Sequence, residues 1–213
     1  MDCIMNTYDL IKNLIFLTLI FFNASCMRLY TGSHSQTDFT LDQPNELGPV
    51  VYKWEDGLRT SGENGELEWW YFDAKFEDGS LFVCYFYKIH PIKDIYFIGM
   101  NYNSPDGDEL FMMKFFKEED VYFAKDSCNV RMGNNFFKGN LDNYNIYLSE
   151  EDFEGFGIEI NLESKIKPYR PQDGIIKAGE DFFAWLAAVP NGIAKAKITH
   201  NNKVFILQGS GYH

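Results

Sequence analysis

At 213 residues the chain has room for one large β-barrel or sandwich, or for one domain behind a leader, and two full domains would be crowded. Aromatic residues make up 17% of it, with 20 Phe and 13 Tyr, and long Ala/Leu/Glu/Lys runs of helical period are absent, which predicts an all-β fold. The formal net charge is −12 and the Lys and Arg residues are scattered among carboxylates, which sets aside nucleic acid and anionic membrane surfaces as partners.

The chain opens with Lys12, an apolar run over residues 14–22 and the small residues Ala24-Ser25 before Cys26, the arrangement of a secretory signal. At helical rise that run covers only about half of the roughly 30 Å hydrocarbon core, which argues for export over a stable transmembrane helix. Ala24-Ser25-Cys26 resembles the end of a bacterial lipobox, with Cys26 as the lipidated first residue of the mature protein and its membrane tether. Asn23 stands where a large apolar residue is usual, so ordinary signal cleavage is the alternative. The predicted organisation is residues 1–25 as a signal peptide or lipoprotein leader, 26–48 as a polar tether, and 49–213 as a β-domain in the periplasm or cell envelope.

Within the domain, Asp78-Gly79 between the apolar runs 67–76 and 81–89 predicts a hairpin with a two-residue type I′ turn. That turn pairs Phe76 with Leu81, Ala74 with Val83, Phe72 with Tyr85, Trp70 with Tyr87 and Glu68 with Ile89, placing these side chains on one face. The opposite face, with Leu67, Trp69, Tyr71, Phe82, Cys84 and Phe86, is too apolar to be simply wet. Such a hairpin needs a core on one side and a second layer, a ligand or a partner on the other.

Further hairpins are predicted around Pro105-Asp106-Gly107, at Asn191-Gly192 and at Asn201-Asn202, so that everything after Pro49 reads as a meander. Residues 167–174, with Pro168, Pro171 and Gly174, read as a loop of the kind that borders a cavity mouth. For Cys84 and Cys128, spacing leaves open both a disulfide, which export would permit, and two buried free thiols. The four histidines, His34, His90, His200 and His213, lie far apart, no Cys/His cluster has zinc-site spacing, and neither metal nor cofactor is predicted.

Two stretches carry a family resemblance: Glu68-Trp69-Trp70-Tyr71-Phe72, and Trp185 through Pro190 and Asn191-Gly192 to Gly209-Ser210-Gly211-Tyr212-His213. Over roughly residues 50 to 213 the chain resembles the carotenoid 1,2-hydratase (hydroxyneurosporene synthase) and AttH-like lipocalin family. The resemblance implies an antiparallel lipocalin-like (calycin) barrel, the first of two such domains meeting at an interface. The family pattern continues after Gly-Tyr-His with Asp-His-x-Trp, whereas this sequence ends at His213, so a missing second β-domain is an expected partner. Some members of that family add water to an isolated alkene of a carotenoid and related fungal proteins steer cycloadditions of polyenes, which implies an apolar, polyene-like or lipid-like ligand more firmly than it implies catalysis.

Alkene hydration requires an acid able to protonate carbon, and Glu68 is the predicted acid, kept protonated by burial against aromatic rings; the alternative is a structural carboxylate bonded to backbone or to a Tyr hydroxyl. His213 is the second catalytic candidate, for proton transfer or ligand orientation at a domain junction, against a terminal residue with nothing to act on. Trp70, Phe72, Tyr85, Tyr87, Trp185 and Tyr212 are the predicted ligand-lining residues, with core packing as the alternative for the tryptophans. Three functions follow: an exported calyx that holds an apolar small molecule on the Trp70 face, a hydratase or cyclisation enzyme working in a two-domain cleft, and a non-catalytic domain whose outer aromatic face docks a protein.

Overall fold

The computed structural model describes residues 50–171, 174–178 and 181–213; the leader, the tether and the lipidation expected at Cys26 lie outside them. Among the described residues there is no α-helix. The described residues begin with a 3₁₀ turn, Lys53–Asp56, and continue through β1 (Glu66–Phe76), β2 (Leu81–His90), β3 (Ile95–Asn103) and β4 (Glu109–Phe116) to a second 3₁₀ turn, Glu118–Asp120. Then follow β5 (Val121–Phe123), β6 (Asn129–Met132), β7 (Asn135–Gly139), β8 (Asn143–Leu148) and β9 (Gly157–Ser164). A short hairpin of β10 (Ile175–Ala178) and β11 (Asp181–Ala184) precedes β12 (Gly192–His200) and β13 (Lys203–Tyr212).

Eleven strands form one antiparallel sheet in the order β4-β3-β2-β1-β13-β12-β9-β8-β7-β6-β5, curled into a nearly closed barrel, while β10 and β11 pair only with each other. The predicted all-β meander is therefore the architecture, with three departures: β13 returns to pair with β1, β9 pairs with β12 across the intervening hairpin, and the consecutive strands β4 and β5 stand at opposite ends of the strand order. The strands follow from alternation. In β9, Ile158, Ile160 and Leu162 are buried and alternate with exposed Glu159, Asn161 and Glu163, and β12 repeats the pattern with Ala194, Ala196 and Ile198 against Lys195 and Lys197. Trp70, Phe72, Phe82, Phe86, Phe137, Tyr144 and Phe156 fill the interior, and complete burial of each such side chain contributes about 1.5–3 kcal/mol.

The β1–β2 hairpin corrects the predicted register by one residue. Phe76 N–H donates to Ser80 O and Gly79 N–H to Phe76 O, both at 3.0 Å, enclosing the loop Glu77-Asp78-Gly79 with Gly79 at φ +91°. Asp-Gly thus closes a three-residue loop ending in a left-handed glycine, not a two-residue type I′ turn. Lys75 pairs with Leu81, Asp73 with Val83, Tyr71 with Tyr85 and Trp69 with Tyr87. A one-residue slip moves every β2 side chain to the other face. Phe82, Cys84 and Phe86 join Trp70 and Phe72 in the core, and Tyr85 and Tyr87 join Trp69 and Tyr71 outside.

Asn201 and Asn202, at φ 51° and 59°, make the predicted two-residue hairpin between His200 and Lys203. The turn predicted at Asn191-Gly192 is absent, since Gly192 is already the first residue of β12 and pairs with Ser164 and Gly211. Cys84 and Cys128 are buried free thiols.

Candidate functional site

The Lys53–Asp56 turn directs Asp56 into one end of the barrel. Tyr52 N–H donates to Glu55 Oε1 at 2.9 Å, and Glu55 pairs with Arg170 from the 167–174 loop at 2.5 Å, both side chains only 5% exposed. Leu58 N–H donates to Ala124 O at 2.8 Å and Trp70 Nε1–H to Asp56 O at 2.9 Å, which fixes the turn to the sheet. Held in this way, Asp56 Oδ2 accepts the Tyr144 hydroxyl at 2.5 Å and lies 3.2 Å from His213 Nε2. His213 Nδ1 is 2.8 Å from Tyr71 O, its main chain exchanges both hydrogen bonds with Val189, and its ring packs 4.6 Å from the rings of Phe137 and Tyr144.

Cys128 completes this buried group, its Sγ within 4.8 Å of the Asp56 and His213 donor atoms. Tyr144 can lie across β7 because its cross-strand partner is Gly139, where a Cβ would run into the phenol ring. Burial, and then the Asp56 charge, push the Tyr144 hydroxyl and the Cys128 thiol well above their ordinary pKa ranges, so both keep their protons.

Glu68 belongs to a separate network. Its carboxylate accepts Arg59 N–H at 2.9 and 3.0 Å, Thr60 N–H at 3.0 Å and the Thr60 hydroxyl at 2.9 Å. Burial raises its pKa, opposed by the Thr60 and Arg59 hydrogen bonds and the Arg59 charge. This is the bonding of a structural carboxylate that locks residues 59–60 to β1. Glu68 pairs with Lys88, not Ile89. The two predicted acid–base residues are thus committed to different internal partners.

On the outside of the same strands lies a continuous aromatic surface. Phe115 on β4 lies 5.4 Å from Phe97 on β3, which stacks on Tyr87 of β2 at 4.7 Å; Tyr87 stacks on Tyr85 at 5.4 Å, and Tyr85 meets Tyr71 of β1 at 5.0 Å. Tyr71 lies 5.9 Å from Tyr212 of β13, whose hydroxyl accepts Trp185 Nε1–H at 3.2 Å. The β10–β11 hairpin covers part of this surface through Phe183, stacked on Trp69 at 5.4 Å. Burial, and then Tyr85, push the Tyr87 hydroxyl up to about 12; burial likewise raises Tyr71, Tyr85 and Tyr212, so these phenols stay neutral. Neutral phenols on an aromatic wall offer hydrogen bonds to a ligand's polar end and ring faces to its apolar body.

The predicted lining set therefore divides. Trp70 and Phe72 are core residues, with Trp70 stacked on Phe123, whereas Tyr85, Tyr87, Trp185 and Tyr212 share the outer face. Trp69 and Tyr71 belong to that face and were placed by sequence on the side opposite Tyr85 and Tyr87. Asp56, Cys128 and Tyr144 were not singled out together; Asp56 is 157 positions from His213 and 88 from Tyr144. A depression of about 260 Å³ lined by Leu110, Met112, Phe153, Phe156 and His200 shares no residue with either group.

Solved structures with a similar fold exist. An AttH-type protein from Nitrosomonas europaea superimposes with a TM-score of 0.58 at 15% identity, over 78% of this chain and 56% of that one. This chain has the AttH-like, lipocalin-like fold. Kievitone hydratase from Nectria haematococca matches with a TM-score of 0.52 at 12% identity, over 77% of this chain and 51% of that one. The chain thus spans about half the length of each. No family model and no curated protein sequence matches it.

Proposed function

We propose that this chain is an exported lipocalin-like domain that binds an apolar, polyene-like or lipid-like small molecule along its outer aromatic face, between the β1–β3 and β13 strands and the β10–β11 hairpin. The observation that carries the reading is the unbroken ring-to-ring contact from Phe115 to Tyr212 across five strands, extended by the Trp185–Tyr212 hydrogen bond to the segment after the hairpin, where Trp185 is still 38% exposed. Monomeric proteins rarely leave such a patch without a use. Four of the six residues expected from sequence to touch ligand lie on it. Sharing a fold with a protein named a hydratase supplies no catalytic group here: Glu68 is held by Arg59 and Thr60, and His213 by Asp56 and Tyr71. Binding without turnover is the reading the geometry supports best.

The test is a titration with a fluorescent conjugated fatty acid, read by energy transfer from tryptophan. Saturable binding is expected, weakened by Tyr87→Ala and by Trp185→Ala and retained in Glu68→Gln. Absence of binding, or equal binding in both outer-face variants, would sink the assignment.

A further inference from the structure

We propose that Asp56, Cys128 and His213 form a buried three-donor binding site for one borderline-soft divalent cation, zinc by the chemistry of the donors. The proposal concerns the barrel interior and is independent of the ligand reading for the outer face.

The argument starts from hydrogen-bond bookkeeping. Tyr71 O can only accept, so its 2.8 Å contact fixes the proton of His213 on Nδ1. Nε2 then directs its lone pair at the Asp56 carboxylate 3.2 Å away, an acceptor facing an acceptor. Something must bridge them: a proton on the imidazole or on the carboxyl group, or a metal ion. A backbone carbonyl that orients a histidine through its far nitrogen is the usual outer-sphere partner of a metal-bound imidazole.

The third donor favours the metal ion. Cys128 Sγ, whose thiol donates to Phe137 O at 3.7 Å, lies beside this pair, with the sulfur, nitrogen and carboxylate oxygen all within 4.8 Å of one another and all three residues buried. Zinc–ligand bonds of roughly 2.0–2.3 Å in a tetrahedron put donor atoms about 3.2–3.8 Å apart, so the oxygen–nitrogen edge already has metal-site length and the sulfur needs at most a shift of about 1 Å. Cysteine, histidine and aspartate together suit zinc better than magnesium or calcium, which prefer all-oxygen shells. The Tyr144 hydroxyl, bonded to Asp56 Oδ2, is the outer-sphere partner of the carboxylate.

Binding balances as loss of the Cys128 thiol proton to solvent and formation of a sulfur–metal bond, with no change of oxidation state. The donors come from the first turn, the segment before β6 and the residue after β13, so the cation would join three distant parts of the chain. Sequence spacing cannot reveal such a set.

The test uses the full chain carrying Cys3→Ser and Cys26→Ser, stripped with chelator and titrated with Co²⁺ and then Zn²⁺. One equivalent of Co²⁺ is expected, with thiolate-to-cobalt charge transfer and visible bands of tetrahedral intensity, both lost when Zn²⁺ displaces it. Cys128→Ser should abolish the charge-transfer band, and His213→Gln should weaken uptake by more than the roughly 10–100-fold that loss of an outer-sphere partner costs. X-ray absorption at the zinc edge on the parent protein needs no variant to fold, and a shell of one sulfur with nitrogen and oxygen is expected. A folded parent protein that retains neither ion, a zinc shell without sulfur, or a charge-transfer band undiminished in Cys128→Ser would each overturn the proposal.

Discussion

Arg170→Met tests what holds the first turn in place. The substitution keeps an unbranched apolar stem and removes the guanidinium, leaving the Glu55 carboxylate buried with the Tyr52 N–H bond and the nearby Arg59 charge as support. Breaking a buried pair by removing one partner costs about 3–5 kcal/mol, and loss of the Arg170 Nη2 bond to Val50 O adds about 1 kcal/mol. The retained Tyr52 bond offsets part of this, which gives an expected destabilisation of about 4 kcal/mol. Glu55→Met alone should cost a similar amount, whereas Glu55→Met/Arg170→Met together should return to within about 1–2 kcal/mol of the parent protein, because no buried charge is then left unpaired. Urea unfolding followed by tryptophan fluorescence gives all four stabilities. A loss below about 1 kcal/mol for Arg170→Met, or simple additivity in the double variant, would refute the claim that this ion pair clamps the turn.

Three further outcomes are expected. Burial raises the folded-state pKa of Glu68 above its unfolded value, so the native state holds that proton more tightly and the group's contribution is fully present below the unfolded pKa. Stability of the parent protein relative to Glu68→Gln should therefore fall as pH rises from the ordinary glutamate range through the raised value, and a relative gain in urea midpoint across that window would contradict the assignment. Cys84 and Cys128 should ignore a disulfide-exchange reagent in the native protein and both react after unfolding, because burial raises both thiols; a peptide joining them by a disulfide would show the pairing to be wrong. Gly139→Ala should displace the Tyr144 ring at a cost of about 1–3 kcal/mol, and an unchanged melting temperature would mean that the close approach is not what seats this residue.

Strand content, the meander and the Asn201-Asn202 turn were legible because each depends on local alternation or on two adjacent backbone conformations. The β1–β2 register was not, because Asp-Gly serves two loop lengths and the choice between them inverts a whole strand. A usable signal was nonetheless present. Phe82, Cys84 and Phe86 form a wholly apolar face, whereas Tyr85 and Tyr87 carry hydroxyls that a filled core must satisfy, so burial favours the first set. The ligand candidates were assigned to one face, whereas the structure divides them between the core, with Trp70 and Phe72, and the outside, with Tyr85 and Tyr87. The Asp56 group was illegible for a different reason, since its members meet only when the first turn, the segment before β6 and the residue after β13 come together at one end of the barrel.

The placement of the large aromatics also determines where a ligand can lie. A barrel that encloses an elongated apolar molecule needs small inward side chains over part of its length. Here the inward positions of β1, β2, β7 and β8 carry Trp70, Phe72, Phe82, Phe86, Phe137 and Tyr144, each at most 3% exposed. The remaining rings have therefore gone outward, where cross-strand pairing places Tyr71 opposite Tyr85 and Trp69 opposite Tyr87, and ring contacts extend the array to Phe97 and Tyr212. Strand alternation then makes the two functional candidates neighbours: Tyr212 faces out and His213 faces in, and the carbonyl of Tyr71, whose ring is part of the outer array, accepts the His213 proton. The aromatic face and the buried Asp56 group are built on opposite sides of the same backbone, so the interior network fixes the wall on which the ligand is proposed to rest.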